Sequence, residues 1–244
     1  MSKERIDTLL VERGLAASRS AAQRLVLAGE VQVNSQIALK PSQLVDRESS
    51  LSLIQGLPYV SRGGEKLAEA LLQFEIDVQG KTCADVGAST GGFTDCLLQH
   101  GAKRVYAIDV GKGILDWKLR TDERVVVMES TNVRHVENFP EIIDLVTIDV
   151  SFISLKIVLP VVMRWLQPGQ GQVIALIKPQ FEAGRQEVAR GKGVIRSPEV
   201  HQQVITEIQT MAQSLGFVEK GLCESPLRGP KGNKEFLLWL EYSR

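Results

Sequence analysis

The sequence predicts an α/β protein in which a small α+β module precedes a domain built on a parallel sheet. Between residues 82 and 177, five short apolar runs alternate with helical patterns, which is typical of a parallel sheet covered by helices. Ahead of this region, two short helical patterns and a hairpin pattern lie between residues 5 and 46. A chain of 244 residues with 43% hydrophobic content is long enough for one ordinary domain plus such a module.

The N-terminal module is predicted to begin with two helices. The second has a serine cap at Ser18 and ends at Gly29, because glycine readily adopts the left-handed conformation of a helix C-terminus. The alternating run 31–37 then favours a β-hairpin. Between residues 46 and 61 the chain is rich in serine and shows little periodicity, which indicates a linker. We therefore assign the module to residues 1–56, the linker to 57–61 and the larger domain to 62–244.

The larger domain is predicted to start with a helix over residues 64–74. The five apolar runs that follow are expected to be strands at 82–86, 104–108, 125–128, 145–148 and 173–177. A serine cap at Ser197, followed by Pro198, begins a long helix that ends near Gly216. Two further strand-like runs, joined by a glycine- and proline-rich stretch, indicate a terminal hairpin over 218–241.

A glycine-rich stretch, 85–93, follows the first predicted strand and opens an amphipathic helix. Glycines let a ligand approach the backbone, and the first turn of a helix offers free N–H groups. Asp109 ends the next strand 24 residues after Asp85, where a Rossmann-like sheet places its ribose-binding acid. The pattern indicates a cofactor site, and a tight turn without a ligand is the alternative.

The composition excludes several classes of protein. Twenty-nine basic and 29 acidic residues leave no formal net charge, so any nucleic-acid site must be a local patch. The three cysteines and three histidines show neither metal-ligand nor redox-pair spacing. We therefore expect buried thiols, a cytoplasmic location and no metal. No apolar run approaches the length of a membrane span.

The segments 5–10, 18–26 and 29–34 together resemble the alpha-L RNA-binding domain, which occurs in a ribosomal protein and in several RNA-modifying enzymes. In that family the second helix and the hairpin contact structured RNA. The resemblance implies RNA contacts at Arg5, Arg19, Ser20, Arg24 and Asn34. Arginine suits this role because its planar guanidinium contacts phosphate oxygens in pairs. The alternative is a set of arginines on an ordinary solvated helix face.

Residues 85–93 resemble the S-adenosylmethionine loop of FtsJ-like ribose methyltransferases, although Thr90 stands where many of that group carry proline. The fuller match is to the TlyA family, which joins the same two domains. The chain resembles it at 59–67, 109–111, 115–120, 149–154, 178–182, 191–194 and 232–236. The resemblance implies a Rossmann-like class I S-adenosylmethionine-dependent methyltransferase whose sheet ends in an antiparallel hairpin. It also implies cytidine 2′-O-methylation of ribosomal RNA, with ribosomal subunits as partners.

FtsJ-like enzymes use a Lys-Asp-Lys-Glu tetrad, and the resemblance assigns it to Lys66, Asp149, Lys178 and Glu235. A ribose 2′-hydroxyl is a poor nucleophile at neutral pH, so a group must take its proton or stabilise the alkoxide. Lys178 is our candidate. It is either a neutral base, with a pKa lowered by desolvation and Lys66, or a charged stabiliser of the alkoxide. Ordinary salt bridges are the alternative for each residue taken singly.

The same resemblance implies the other contacts. The methionine part of the cofactor is expected at Asp85, Gly87, Ala88, Ser89, Thr90, Gly91, Gly92 and Phe93. The ribose is expected at Asp109, the adenine at Glu129 and Asn132, and Asp149 is expected to touch both cofactor and substrate. Arg62 is a further predicted RNA contact. The loop 182–197 follows Lys178 directly and carries several basic residues, so we interpret it as an RNA-facing flap with contacts at Arg185, Lys192 and Arg196. A merely solvated loop is the alternative for the last three.

Two other functions stay open from the sequence. One is a non-catalytic RNA-binding or ribosome-assembly factor that has kept the fold, and an intact tetrad argues against it. The other is a membrane-active haemolysin, since relatives of the family carry that name. Neither an apolar span nor a strongly amphipathic cationic helix supports membrane insertion. The sequence carries no signal for an oligomeric state.

Overall fold

The structure is a computed structural model and describes residues 3–54 and 58–243. The N-terminal module contains helices α1 (Ile6–Glu12) and α2 (Arg19–Ala28). Its strands are β1 (Lys3–Arg5), β2 (Val31–Val33), β3 (Gln36–Ile37), β4 (Leu44–Asp46) and β5 (Leu51–Leu53). Strand β1 pairs with β4, and β2 lies between β3 and β5, all antiparallel.

The start and end of helix α2 in the module are formed as the sequence predicts. The Ser18 hydroxyl accepts a hydrogen bond from the Ala21 N–H and so caps α2, and Gly29 ends this helix in the left-handed region at φ 78°. Helix α1 buries Ile6 and Leu10 completely against β2. The two helices and the hairpin are therefore confirmed.

One segment differs from the prediction. Residues 51–53, which lie within the irregular stretch 46–61 of the sequence analysis, form β5 and pair with β2, so that Leu53 lies opposite Val31. A strand of three residues in a serine-rich context carries too little alternation to be recognised. The predicted boundary between residues 56 and 57 lies outside the described residues.

The larger domain is built on a seven-stranded sheet with the order β11-β12-β10-β9-β6-β7-β8. Its strands are β6 (Thr82–Val86), β7 (Arg104–Ile108), β8 (Val125–Met128), β9 (Leu145–Ile148), β10 (Gln172–Ile177), β11 (Phe217–Glu224) and β12 (Phe236–Tyr242). Strands β6 to β10 run parallel, and β12 is antiparallel to both of its neighbours. The five parallel strands and the terminal hairpin are confirmed.

Helices cover both faces of this sheet. They are α3 (Gly63–Gln73), α4 (Gly92–Gln99), α5 (Trp117–Arg120), α6 (Leu155–Val162), α7 (Pro179–Glu182), α8 (Arg185–Arg190) and α9 (Pro198–Ser214). One apolar core packs α3 and α4 against the sheet, and a second packs α6 and α9 against the opposite face. No helix in the described ranges is both long and apolar enough to span a bilayer. The carboxyl ends of the parallel strands meet at one edge.

The chain that joins the two domains contacts both. The Val60 N–H donates to Asp95 Oδ2 in the larger domain at 2.9 Å. Two residues later, the Arg62 N–H donates to the Ala28 carbonyl at the end of α2, at 3.2 Å. These contacts hold the small module beside the carboxyl edge of the sheet.

Candidate active site

Two adjacent parallel strands supply the first charged pair of the site. Asp149 follows β9 and Lys178 follows β10, so their side chains leave the sheet side by side. The Lys178 Nζ lies 2.5 Å from Asp149 Oδ1 and donates to the Ser151 hydroxyl at 3.1 Å. Lys178 is only 8% exposed.

A second charged pair lies on the same edge. Lys66, from the first turns of α3, donates to Glu235 Oε2 at 2.6 Å. The other oxygen of Glu235 accepts from Gln180 Nε2 at 3.0 Å, and the whole residue is 1% exposed. The structure therefore brings all four predicted tetrad residues together, as two ion pairs that the sequence did not specify.

Each of the two ion pairs shifts the pKa of a residue in the other. Burial acts to lower the pKa of Lys66, but the carboxylates of Asp149 and Glu235 outweigh it and raise that pKa. Burial likewise acts to raise the pKa of Asp149, whereas Lys178 and then Lys66 hold it below its usual value. Each carboxylate thus stabilises an ammonium group, and two positive and two negative charges balance within the site.

The glycine-rich loop 87–92 packs directly against this cluster. Gly87 has φ +86°, and a Cβ atom there would lie 2.6 Å from the Asp149 carbonyl oxygen. Only glycine allows this approach between the ends of β6 and β9. Helix α4 begins at Gly92, so its first-turn N–H groups lie at the end of the loop.

A single cavity of about 320 Å³ joins the loop to the tetrad. Its lining includes Lys66, Asp149 and Lys178, together with most of the glycine loop: Gly87, Ala88, Ser89, Thr90, Gly92 and Phe93. A cofactor at the loop and an acceptor at Lys178 would therefore share one space. Among the described residues, no group of three or more His, Cys, Asp or Glu side chains is arranged to hold a metal ion.

Asp85 lies behind the loop. Its carboxylate is fully buried and accepts hydrogen bonds from the hydroxyls of Thr94 at 2.6 Å and Thr147 at 3.0 Å. Burial raises the pKa of Asp85 to about 7. The residue ties β6 to α4 and β9, and its contact with a cofactor stays a prediction.

Asp109 connects the glycine loop to the end of β7. Its two oxygens accept from the N–H groups of Ser89 at 2.9 Å and Gly111 at 2.7 Å. These bonds leave lone pairs on both oxygens. The predicted ribose contact is therefore compatible with this position, and no feature of the structure tests it.

Glu129 and Asn132, predicted beside the adenine, hold the loops after β7 and β8. Burial acts to raise the pKa of Glu129. Hydrogen bonds from the Gly113 N–H, the guanidinium of Arg120 and two further backbone donors outweigh this effect and bring that pKa to about 2. Asn132 accepts from the N–H of Arg134 at 3.1 Å and caps a short turn. Both residues have protein partners, and their adenine contacts stay predictions.

The predicted RNA contacts divide between the two domains. On the module, Arg24 donates to the Ser20 hydroxyl at 3.2 Å, and Asn34 accepts from the Ser50 N–H at 2.9 Å. Arg5 and Arg19 both bond to Asp7, which the sequence did not single out. These contacts do not test RNA binding.

The loop 182–197 contains a helix and is hydrogen-bonded to other parts of the larger domain. It contains α8, and the Ile195 N–H donates to the Asn233 side chain at 2.9 Å. Glu182 accepts from the Ser154 hydroxyl at the start of α6. Lys192 and Arg196 are exposed, and the side chain of Arg185 lies outside what the structure describes.

Two features near the site, a pair of leucines and an exposed phenylalanine, were missed from the sequence, and Arg62, predicted as an RNA contact, lies in the cavity. Leu27 and Leu39 of the small module line the same cavity as the tetrad lysines and are 45% and 40% exposed. Arg62 also lines it, and its buried Nε has no hydrogen-bond partner among the described residues. Phe152 is 85% exposed only three residues after Asp149 and has φ +65°. The Phe152 signal was present in the segment 149–154, whereas the leucines depend on how the domains pack.

The sheet order, the antiparallel terminal hairpin and the glycine loop beside a charged cluster define a class I methyltransferase fold. Residues 59–242 match the FtsJ-like methyltransferase family, and residues 4–50 match the S4 domain. The chain therefore belongs to the FtsJ-like methyltransferase family and carries an S4 domain in front, which is the alpha-L module expected from the sequence.

Relatives with the same two domains cover almost the whole chain. It is 50% identical to YqxC of Bacillus subtilis, over 98% of this chain and 86% of that protein. It is 44% identical to TlyA of Mycobacterium tuberculosis, named a 16S/23S rRNA (cytidine-2′-O)-methyltransferase, over 98% of this chain and 90% of that protein. The chain therefore belongs to the TlyA family, which also includes a protein of Brachyspira hyodysenteriae named hemolysin A, 42% identical over 96% of this chain and 98% of that protein.

Solved structures agree with this assignment. A protein of Streptococcus thermophilus that bears the name hemolysin is 46% identical, with a TM-score of 0.77 over 100% of this chain and 90% of its own. A methyltransferase from Listeria monocytogenes that is only 17% identical has a TM-score of 0.57 over 75% of this chain and 99% of its own, and shares the fold alone.

Proposed function

We propose that this protein transfers a methyl group from S-adenosylmethionine to the 2′-hydroxyl of a cytidine in ribosomal RNA. The observation that carries the proposal is that Lys66, Asp149 and Lys178 line one cavity with the glycine loop, while Glu235 is paired with Lys66 beside it. The name of the TlyA relative supports the choice of nucleotide and of RNA. Ribosomal subunits are located in the cytoplasm, so we propose that the protein acts there.

The residues of the loop fit S-adenosylmethionine. Gly87 packs closely against the backbone of Asp149 and has no side chain, so the loop presents its backbone to a ligand. Helix α4 offers the N–H groups of its first turn. Asp109 and Asp149 supply carboxylates at either side for hydroxyl and ammonium groups. When bound, S-adenosylmethionine supplies an electrophilic methyl group on a sulfonium.

The chain's own task is to activate the acceptor hydroxyl. In the proposed reaction this hydroxyl lies against the Lys178–Asp149 pair. The Asp149 carboxylate takes up its proton, and the Lys178 ammonium stabilises the negative charge on oxygen. The Lys178 Nζ lies 2.5 Å from Asp149 Oδ1, and we propose for it the second of the two roles considered, that of stabilising the alkoxide. A buried ammonium is effective here because the low exposure of the site strengthens its electrostatic effect.

The Lys66–Glu235 pair positions the site. Glu235 is fixed by both Lys66 and Gln180, and Lys66 in turn lowers the pKa of Asp149. We propose that this pair keeps Asp149 charged and in place. Because the reaction requires oxygen, methyl carbon and sulfur to lie in line, such positioning contributes much of the rate.

The test is to map 2′-O-methyl groups on ribosomal RNA in cells that lack the protein. Complementation with the wild-type chain is expected to restore a methylated cytidine, whereas the Lys178→Ala variant is not. An unchanged methylation map on loss of the protein would overturn the proposed function. Full restoration by Lys178→Ala would instead indicate a non-catalytic RNA-binding role for the chain.

A further inference from the structure

The carboxylate of Glu182, which no step of the proposed reaction uses, joins two loops of the active site. Glu182 is the last residue of α7, the short helix that follows Lys178. Its Oε2 accepts a hydrogen bond from the Ser154 hydroxyl at 2.5 Å, and its Oε1 accepts one from the Leu155 N–H at 2.7 Å. Ser154 caps α6, and Leu155 is the first residue of that helix. Glu182 therefore connects the chain that follows β10 to the chain that follows β9.

The same two loops are also joined near the sheet, by the Lys178–Asp149 ion pair. Between these two connections the rings of Phe152 and Phe181 lie in contact, with their centroids 4.9 Å apart. The Phe181 ring also lies beside the ammonium of Lys178. The two loops thus form one unit that has the reacting lysine at one end and Glu182 at the other.

Helix α7 needs such connections because it is very short. It has four residues, and a single isolated turn gains too few hydrogen bonds to offset the entropy lost in fixing it. Gln180 holds the middle of the turn through its bond to Glu235, and Glu182 holds its end. The Phe181 N–H donates to the Lys178 carbonyl at 2.8 Å, so a displaced turn would displace the backbone of the lysine.

The two hydrogen bonds of Glu182 depend on the length of its side chain more than on its charge. Burial raises the pKa of Glu182 and outweighs the bonds from Ser154 and Leu155, which lower it. The protein therefore disfavours the negative charge relative to water. A neutral amide of the same length has an oxygen that can accept from the Leu155 N–H and an NH2 group that can donate to the Ser154 hydroxyl.

We infer that Glu182 is a positioning residue for methyl transfer, which fixes α7 against the start of α6 and so keeps the Lys178 ammonium and the Phe152–Phe181 rings in place. This inference rests on the proposed function, because it gives Glu182 a part in the same reaction. Two other roles are distinguishable from it. The carboxylate could act through its charge, or it could only stabilise the fold at the N-terminus of α6.

Two substitutions separate these three roles. Glu182→Gln keeps the length of the side chain and removes its charge, whereas Glu182→Asp keeps the charge but is too short to reach both donors. If Glu182 positions the turn, kcat for methyl transfer stays within about twofold of the wild type in Glu182→Gln and falls roughly tenfold in Glu182→Asp, because small displacements of reacting groups slow a reaction by this order or more. Calorimetry should show unchanged affinity for S-adenosylmethionine in both.

Glu207→Asp is the matched control. Glu207 of α9 pairs with Lys156 of α6 at 2.6 Å, so the same shortening weakens a connection to the same helix that does not involve α7. This variant should keep the kcat of the wild type. Melting temperatures of the three variants report any loss of stability separately from the rate.

Four outcomes would contradict one proposal or the other. A kcat of Glu182→Gln as low as that of Glu182→Asp, or lower, would show that the charge acts and overturn the positioning role. Wild-type kcat in both variants, whatever their melting temperatures, would leave Glu182 a role in stability alone. An equal loss in Glu207→Asp would show that any weakening around α6 slows the reaction. Absence of methyl transfer to ribosomal RNA by the wild-type chain would overturn the proposed function itself.

Discussion

An exposed aromatic residue close to the Lys178–Asp149 pair indicates where the base of the acceptor nucleotide would lie. Phe152 follows Asp149 by three residues, and its ring centroid lies 4.9 Å from that of Phe181. Phe181 in turn lies beneath the ammonium of Lys178, 5.9 Å away. An aromatic face in this position can stack on the base of the acceptor nucleotide.

Phe152→Ala should therefore lower methyl transfer to RNA by roughly tenfold, the magnitude expected for the loss of one base–aromatic stack. Affinity for S-adenosylmethionine should not change, because Phe152 does not line the glycine loop. Transfer assays and calorimetry measure the two quantities. Ile142→Ala is the control, since Ile142 is also exposed but precedes β9 and lies at the opposite end from Asp149. An equal effect of both substitutions would contradict the stacking role.

The buried carboxyl of Asp85 predicts a pH dependence of stability. Burial raises its pKa from 3.8 to about 7, so the folded protein binds this proton more tightly than the unfolded chain. Its contribution to stability is complete below the unfolded pKa and is lost as pH rises through 7. Asp85→Asn carries no such proton.

The melting temperature of Asp85→Asn relative to the wild type should consequently rise between pH 5 and pH 8, by roughly 5 °C. Calorimetry of both proteins at several pH values measures this difference. A difference that stays constant over the range would show that Asp85 does not titrate near neutrality.

At the scale of secondary-structure elements, the loop between β6 and α4 carries a strict local requirement at Gly87. Gly87→Ala would place a Cβ atom 2.6 Å from the Asp149 carbonyl oxygen at a φ of +86°. We expect the variant to fold with a displaced loop and to bind S-adenosylmethionine at least tenfold more weakly, while affinity for RNA is retained. Gly184→Ala is the control, because nothing lies within 4 Å of its Cβ position. Unchanged cofactor affinity of Gly87→Ala would place the cofactor elsewhere.

Elements buried on both faces of the sheet were predictable from the sequence. Strand β9, with residues 145–148 wholly buried, appears as a short, mostly apolar run bounded by Asp144 and Asp149. Strand β5 was missed because its three residues gain stability from pairing with β2 rather than from their own pattern. The local sequence therefore predicts an element that is stabilised by burial of its own side chains. It does not predict one that is stabilised by pairing with a strand distant in the sequence.

The candidate site was predictable only in part. The tetrad residues were identified through the family resemblance, but their division into two ion pairs depends on tertiary structure. Lys66 and Glu235 are 169 positions apart and meet because β12 inserts beside β10. The wall formed by Leu27 and Leu39 depends on the packing of two domains, for which the sequence holds no local signal.

At the scale of the whole molecule, the S4 domain does more than carry positive charge, because it completes the cavity. Leu39 and Lys178 line the same cavity, so an acceptor nucleotide bound there would contact both domains. Leu39→Ser should lower kcat for methyl transfer several-fold by loosening this enclosure, with little change in affinity for RNA. Leu44→Ser is the control, since Leu44 is 61% exposed on the same domain and does not line the cavity. Equal kcat values for the two variants would contradict a role of the module in the active site.

We propose that the cavity formed by the two domains positions a ribose hydroxyl for methylation and that Lys178 is required for the transfer. The most direct measurement is transfer of labelled methyl from S-adenosylmethionine to purified ribosomal RNA, followed by digestion to nucleosides. We predict 2′-O-methylcytidine as the labelled product of the wild type, and a loss of roughly 100-fold or more in kcat for Lys178→Ala with cofactor affinity retained. Label on a base would contradict methylation of the ribose, and undiminished transfer by Lys178→Ala would contradict the proposed role of Lys178.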